Sequence, residues 1–263
     1  MGPIGLHGGG EFLAGDEPFL RLVLEAAATG TASGDALRVS VVPTATAGGR
    51  PDLSGAHGVA AFRSLAGSVQ VACDAAVVPV VDAVSAADRR WCAALSSSDL
   101  IYLPGGDPGL VVEILDGSPA WAAILAARAR GAVIAGASAG AMALAEWTWT
   151  PRGGRAGLGI VRGLVVVPHF ERVPPAFWQA ERMAHGRDDL GVLGLDERTG
   201  ILSGPMGAMG PNGPNRPNVP NEAADWRVAG AGTATWLAPA ESEPITARDG
   251  ELIALSWSPL AAV

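Results

Sequence analysis

The sequence contains no lysine. All 18 of its basic side chains are arginine, against 26 acidic ones, and the formal net charge is −8. No basic stripe is available to follow a phosphate backbone, so nucleic acid is not expected as a partner; the replacement of lysine by arginine reads as codon bias. Cysteine is scarce too. Cys73 and Cys92 fall in different expected elements, so both are read as buried free thiols, with no disulfide framework and no zinc site. The longest uncharged stretch is interrupted by glycines and a serine, which argues against a membrane span. The opening MGPIGLHGGGEF lacks the basic start and long apolar core of a secretory signal, so a cytoplasmic location is expected. Histidine is limited to His7, His57, His169 and His185, which narrows the choice of a general base.

What the chain does have is apolar and turn-forming. Hydrophobic residues make up 49%, with 36 glycines and 20 prolines in 263 residues, a composition that fits a single α/β domain over 1–263 with one sizeable core. The organising stretch is GAVIAGASAGAMALAEW, residues 131–147. It reads as a buried strand over Ala132 to Ala135, a sharp turn at Ser138 and a helix behind it. Gly136-Ala-Ser138-Ala-Gly140 matches the nucleophile-elbow pattern, in which small neighbours let the backbone bend and present the serine oxygen. The helix that follows aims its first N–H groups and the positive end of its dipole at that oxygen.

Upstream, Pro3 to Leu6 predicts a first strand, followed by a helix carrying Phe19, Leu22, Val23 and Ala26. Leu37 to Val42 predicts a second strand, Gly58 to Leu65 a helix, and the valine-rich Val69 to Val81 a third strand. Ser85 opens a helix through Leu95. Asp99 to Leu103 predicts a fourth strand running into Pro104-Gly105-Gly106-Asp107-Pro108, where Asp107 caps and Pro108 begins the next helix. Ala120 to Arg130 is a further helix. Alternating strands and helices imply a mostly parallel sheet covered on both faces, with ligands beyond the carboxyl ends of its strands.

Downstream, Leu164 to Val167 predicts a strand ending at His169, Pro174 to Met183 a helix, and Val192 to Leu195 a strand leading into Asp196-Glu197. The segment 205–221, rich in proline and asparagine, reads as an exposed loop. Trp226 to Leu237 and Glu251 to Trp257 read as antiparallel edge strands.

A serine nucleophile needs a base and a group to orient that base. Only His169 follows a strongly apolar strand beyond the elbow. For the acid, Glu197 stands at the end of the next strand, with Asp196, Glu171 and Glu146 as competitors; alternation along the chain points Asp196 and Glu197 opposite ways. The oxyanion donors on offer are the N–H groups of Ala139 and Gly106. No metal or cofactor is called for.

The motifs GGGE, YLPGGD, GASAGA, VPHF and GLDERT, in this order over most of residues 1–203, resemble the S51 serine peptidases, the family of dipeptidase E and cyanophycinase. The resemblance implies a class I glutamine amidotransferase-like α/β fold and hydrolysis of short, aspartyl-type peptides. Ser138 would be the nucleophile, His169 the base and Glu197 the acid, with Gly106 and Ala139 as oxyanion donors. Val167-Pro168 before the histidine looks more like dipeptidase E than cyanophycinase. The absence of Asp and Glu from Thr148 to Gly159 leaves the acid role to Glu197. An aspartyl preference calls for a cation, for which Arg172 is the candidate, and Asp107 is the other expected substrate contact. The partner is then a small peptide, and a homodimer is one open outcome.

Two other readings compete. An α/β-hydrolase esterase shares HGGG and G-x-S-x-G but requires serine, acid and histidine in that order, and no histidine follows His185. A non-catalytic peptide-binding family member is the other. A glutamine amidotransferase would carry cysteine where Ser138 stands.

Overall fold

Leucine, valine and alanine alternate along the central strands so that each face of the sheet is apolar. In the strand Leu100–Leu103 (β4), Leu100 and Tyr102 join one buried cluster while Ile101 and Leu103 join another. In Val133–Ala137 (β5), Val133, Ala135 and Ala137 point to the first cluster and Ile134 to the second. Such two-sided burial is what a parallel sheet covered by helices requires.

The computed structural model describes residues 1–30, 35–172, 177, 185–204, 224–239 and 243–255. Among these, the larger sheet adds Ile4–His7 (β1), Leu37–Val41 (β2), Cys73–Val77 (β3), Thr199–Ser203 (β10), Ala224–Gly230 (β11) and Leu252–Leu255 (β14). Its order is β14-β11-β10-β1-β5-β4-β2-β3, parallel from β1 through β3 and antiparallel from β10 outwards. The helices Glu17–Ala28 (α1) and Pro51–Ser68 (α2) supply Phe19, Leu20, Val23, Leu24, Phe62 and Leu65 to one face. Arg89–Ser97 (α4), Pro108–Leu115 (α5) and Pro119–Arg130 (α6) supply Leu95, Val111, Leu115 and Ile124 to the other. This larger sheet is the α/β unit expected, parallel through β1, β5, β4, β2 and β3 with helices on both faces, and antiparallel strands follow towards the C-terminus.

Several local expectations are corrected. The third strand ends at Val77 and not Val81, because Pro79 has no N–H for a ladder; Val78 and Val80 still enter the core. The helix expected from Ser85 is two helices. Asp82 and Ser85 form a capping box on the short Ala83–Ala86 (α3), and Asp88 caps α4 by accepting from the Arg90 N–H. The helix after the elbow, Ala139–Leu144 (α7), is only six residues long and gives way to a strand at Ala145. That strand begins a second sheet which the sequence reading did not separate: Ala145–Thr150 (β6), Gly153–Ala156 (β7), Val161–Pro168 (β8), Gly191–Leu195 (β9), Ala234–Leu237 (β12) and Ile245–Ala247 (β13), ordered β13-β12-β9-β8-β6-β7. The expected helix Pro174 to Met183, apart from Phe177, and the loop 205–221 lie outside the described residues.

The short helix α7 packs on β5 of one sheet and β8 of the other, and the cluster around its Leu144 draws Leu6, Ile134, Leu164, Val166, Leu193 and Trp236 from both. Among the described residues no single helix is long and apolar enough to cross a membrane.

Candidate active site

Ser138 sits where β5 ends and α7 begins, with φ 46° and ψ −111°, a backbone conformation that side chains other than glycine rarely adopt. The strain is held by contacts on both sides. The Ser138 N–H donates to the His7 carbonyl on β1, and the Ser138 carbonyl accepts from the Met142 N–H. Gly136 and Gly140 face each other so closely that a Cβ on Gly136 would lie 2.5 Å from the Gly140 carbonyl carbon. The two glycines of the motif therefore serve strand-to-helix packing, and the serine takes the bend.

The partners of Ser138 come from the second sheet. There β8 and β9 run parallel, with Pro168 beside Leu195, so the residues just past their carboxyl ends emerge together. His169 follows β8 and has a left-handed backbone, φ 52°. Its Nε2 lies 3.2 Å from Ser138 Oγ, and its Nδ1 lies 2.7 Å from Glu197 Oε1. With the Nδ1 proton donated to Glu197, Nε2 is left to accept the hydroxyl proton. The imidazole is 35% exposed and the carboxylate 27%, so both meet solvent at an open rim.

The loop after β1 fastens this rim. The Gly8 carbonyl accepts from the His169 N–H, the Gly9 carbonyl accepts from the Arg198 N–H, and the Gly8 N–H donates to the Thr199 carbonyl. Gly9, at φ 108°, lies flat against the imidazole: a Cβ there would fall 2.4 Å from His169 Cε1. HGGG thus braces the base, whereas in esterases the same tetrapeptide serves the oxyanion. Farther along, Asp16 holds the loop by accepting from the Phe12 N–H. Its other oxygen is 2.8 Å from His7 Nε2, both groups being buried, although the ring N–H is not aligned for a hydrogen bond.

Each competing acid is engaged elsewhere. Asp196 turns away and accepts from the Thr233 N–H and hydroxyl, Glu146 accepts from the Gly163 N–H and pairs with Arg187, and Glu171 accepts from the Glu197 N–H. The other histidines are also accounted for: His7 is buried behind the elbow, His57 is exposed on α2, and His185 packs against Trp147 and Trp149.

Arg172, expected to meet the substrate, instead places its guanidinium on Glu197 at 2.5 Å and beside Glu171 at 3.4 Å. Burial by itself raises the Glu197 carboxyl; the His169 hydrogen bond and the Arg172 charge outweigh it and hold the group below the usual carboxylate range. Asp107 accepts from the Gly109 N–H and so caps α5, as its position before Pro108 predicts. The cap engages its Oδ1.

Two amides in the turns after β5 and β4 are without a protein acceptor. Among the described residues neither the Ala139 N–H, first in α7, nor the Gly106 N–H donates to a protein acceptor. The Gly105 N–H is taken by Glu11 Oε1 at 2.6 Å, a contact the sequence reading did not anticipate. The only hint in the sequence was an acid just past the first strand. Beyond Gly105 opens a cleft of about 320 Å³ lined by Glu11, Phe12, Thr46, Arg50, Leu53, Ser54, His57 and Gly105. Among the described residues no three His, Cys, Asp or Glu side chains gather as a metal-ligand set.

The family model for peptidase family S51 matches residues 14–203. A peptidase from an acI-B1 actinobacterium superposes with a TM-score of 0.72 at 23% identity, covering 97% of each chain. A candidate peptidase E from Listeria monocytogenes EGD-e gives a TM-score of 0.48 at 16% identity over 77% of this chain and 94% of its own. No curated protein matches.

Proposed function

This chain belongs to peptidase family S51 and is a peptidase, and from that premise we propose that it cleaves short, aspartyl-type peptides through an acyl-enzyme on Ser138. The observation that carries the proposal is the relay from Ser138 Oγ to His169 Nε2 and from His169 Nδ1 to Glu197, at 3.2 and 2.7 Å. Those separations lie within reach of proton transfer, and the order of groups is that of a serine triad with glutamate as the orienting acid.

In the proposed reaction His169 Nε2 takes the hydroxyl proton as Ser138 Oγ bonds to the scissile carbonyl carbon. The oxyanion that forms is held by the N–H groups of Ala139 and Gly106. Glu197 stays ionised and stabilises the imidazolium. The imidazolium then protonates the leaving amine as the C–N bond breaks. Water, deprotonated by the same nitrogen, attacks the ester, and its collapse returns the proton to Ser138.

Selectivity for an acidic substrate side chain is assigned to Arg50. This arginine lines the cleft beside Gly105 and has only a loose, solvent-exposed pairing with Asp52 at 3.6 Å. Arg172, held on Glu197, acts on the acid of the triad.

The test combines a fluorophosphonate probe with matched Asp- and Ala-containing peptides. Wild type is expected to label and cleave, and Ser138→Ala to lose activity by on the order of 10⁴ to 10⁶. Arg50→Ala should lower kcat/KM for the Asp substrate about tenfold relative to the Ala substrate, the scale of a lost charged contact. Arg172→Ala should depress both substrates alike. A folded wild type that neither labels nor cleaves sinks the hydrolase reading and favours a peptide-binding role.

A further inference from the structure

Glu11 is joined to the catalytic machinery without belonging to the triad. Its Oε1 accepts from the Gly105 N–H at 2.6 Å, across 94 residues of sequence. Gly105 is wedged between that carboxylate and the nucleophile: a Cβ on it would lie 2.7 Å from Glu11 Oε1 and 3.2 Å from Ser138 Cβ. The next residue, Gly106, has φ 145°, and among the described residues its N–H donates to no protein acceptor, which leaves it available to an oxyanion. The loop that carries Glu11 also holds the His169 N–H through Gly8 and the Arg198 N–H through Gly9. One loop therefore touches the base, the turn bearing the acid, and the glycine turn beside the serine.

We propose that Glu11 is a positioning residue that fixes the Gly105-Gly106 turn so that the Gly106 amide, and not that of Gly105, faces the reacting carbonyl. The proposal rests on the peptidase mechanism above for its catalytic consequence, but not for its structural one. A side-chain oxygen 2.6 Å from the amide nitrogen fixes the direction of that amide, and an oxyanion donor is effective only when held in place before the charge develops. Glu11 gives the turn that rigidity from outside its own chain segment. What matters is reach and acceptor geometry; the negative charge itself is not required and is unfavourable next to an oxyanion.

Three variants separate these terms. Glu11→Gln keeps an acceptor oxygen at the same reach, Glu11→Asp keeps the charge but is one methylene short, and Glu11→Ala removes both. Hydrogen exchange of residues 104–107 reads the turn directly, and kcat and KM on a short peptide read its catalytic effect. Glu11→Ala and Glu11→Asp should speed exchange of that segment at least tenfold. They should also lower kcat about 10²-fold with KM within about twofold, the smaller end of what loss of one oxyanion donor costs. Glu11→Gln should stay within a few-fold of wild type in both. Unchanged exchange in Glu11→Ala overturns the proposal, as does kcat within twofold of wild type. Glu11→Gln falling as far as Glu11→Ala would assign the effect to charge and likewise overturn it. If wild type cleaves nothing while exchange still follows the order Gln, Asp, Ala, the turn is positioned as proposed and the peptidase mechanism is what fails.

Discussion

The carboxyl of Glu197 is placed between an imidazole and a guanidinium, and that setting has a measurable consequence. Its folded pKa is lowered, so its contribution to stability is complete above the unfolded value of about 4.3 and is lost as pH falls through the folded value. Denaturant unfolding from about pH 5 down to about pH 3 should therefore show wild type losing stability more steeply than Glu197→Gln. Parallel curves for the two proteins would mean that the carboxyl is not held ionised in the fold. At neutral pH the same substitution should lower kcat by about 10⁴, because an amide no longer fixes the tautomer of His169. Ser138, His169 and Glu197 were all legible in the sequence, from an elbow pattern, a shortage of histidines and the alternation that turns Asp196 away. Glu11 was not. A hydrogen bond between residues 11 and 105 leaves no periodicity to detect, and an acid after a strand resembles any solvated turn residue. The pairing of Arg172 with Glu197 was hidden for a related reason: nearness in sequence to His169 does not say which carboxylate the guanidinium meets.

Among the elements, α7 has the tightest tolerances. It starts at the nucleophile, ends after six residues and lies against both sheets. Its Gly140 approaches β4 so closely that a Cβ would fall 2.1 Å from the Leu103 carbonyl oxygen, a backbone atom that cannot swing aside. Gly140→Ala is expected to destabilise the protein by about 1–3 kcal/mol, the range for overfilled cores. It should also reduce activity, since relief requires α7, and Ser138 with it, to move off the sheet. Thermal melting and peptide hydrolysis measured on the same preparation check this. An unchanged melting temperature would show that the helix has slack the packing does not suggest. The early end of α7 was hidden in the sequence, because Ala141 to Ala145 all favour helix locally and only the second sheet, by pairing Ala145 with Val161, pulls the chain into a strand. The split of the helix expected from Ser85 was closer to readable: Asp82 and Asp88 are both capping residues, and each starts its own helix.

Across the whole molecule, the two sheets share one buried cluster, and the proposed triad draws on both: the hydroxyl from the end of β5, the imidazole and carboxylate from beyond β8 and β9. Neither sheet can loosen without parting Ser138 from His169. Calorimetric unfolding is accordingly expected as one transition, with hydrolytic activity lost along the same curve; two resolved transitions would mean that the sheets fold as separate units. Reading along the chain was enough for the parallel α/β half, the bend at Ser138 and the candidate residues Ser138, His169 and Glu197. These depend on local periodicity, turn chemistry and the choice of residue types, all of which are written along the chain. Folding in three dimensions was needed to reveal the second sheet, the bracing of His169 by HGGG and the grip of Glu11 on the glycine turn. Those features depend on which distant segments meet, and contact across space is fixed by packing the whole chain at once.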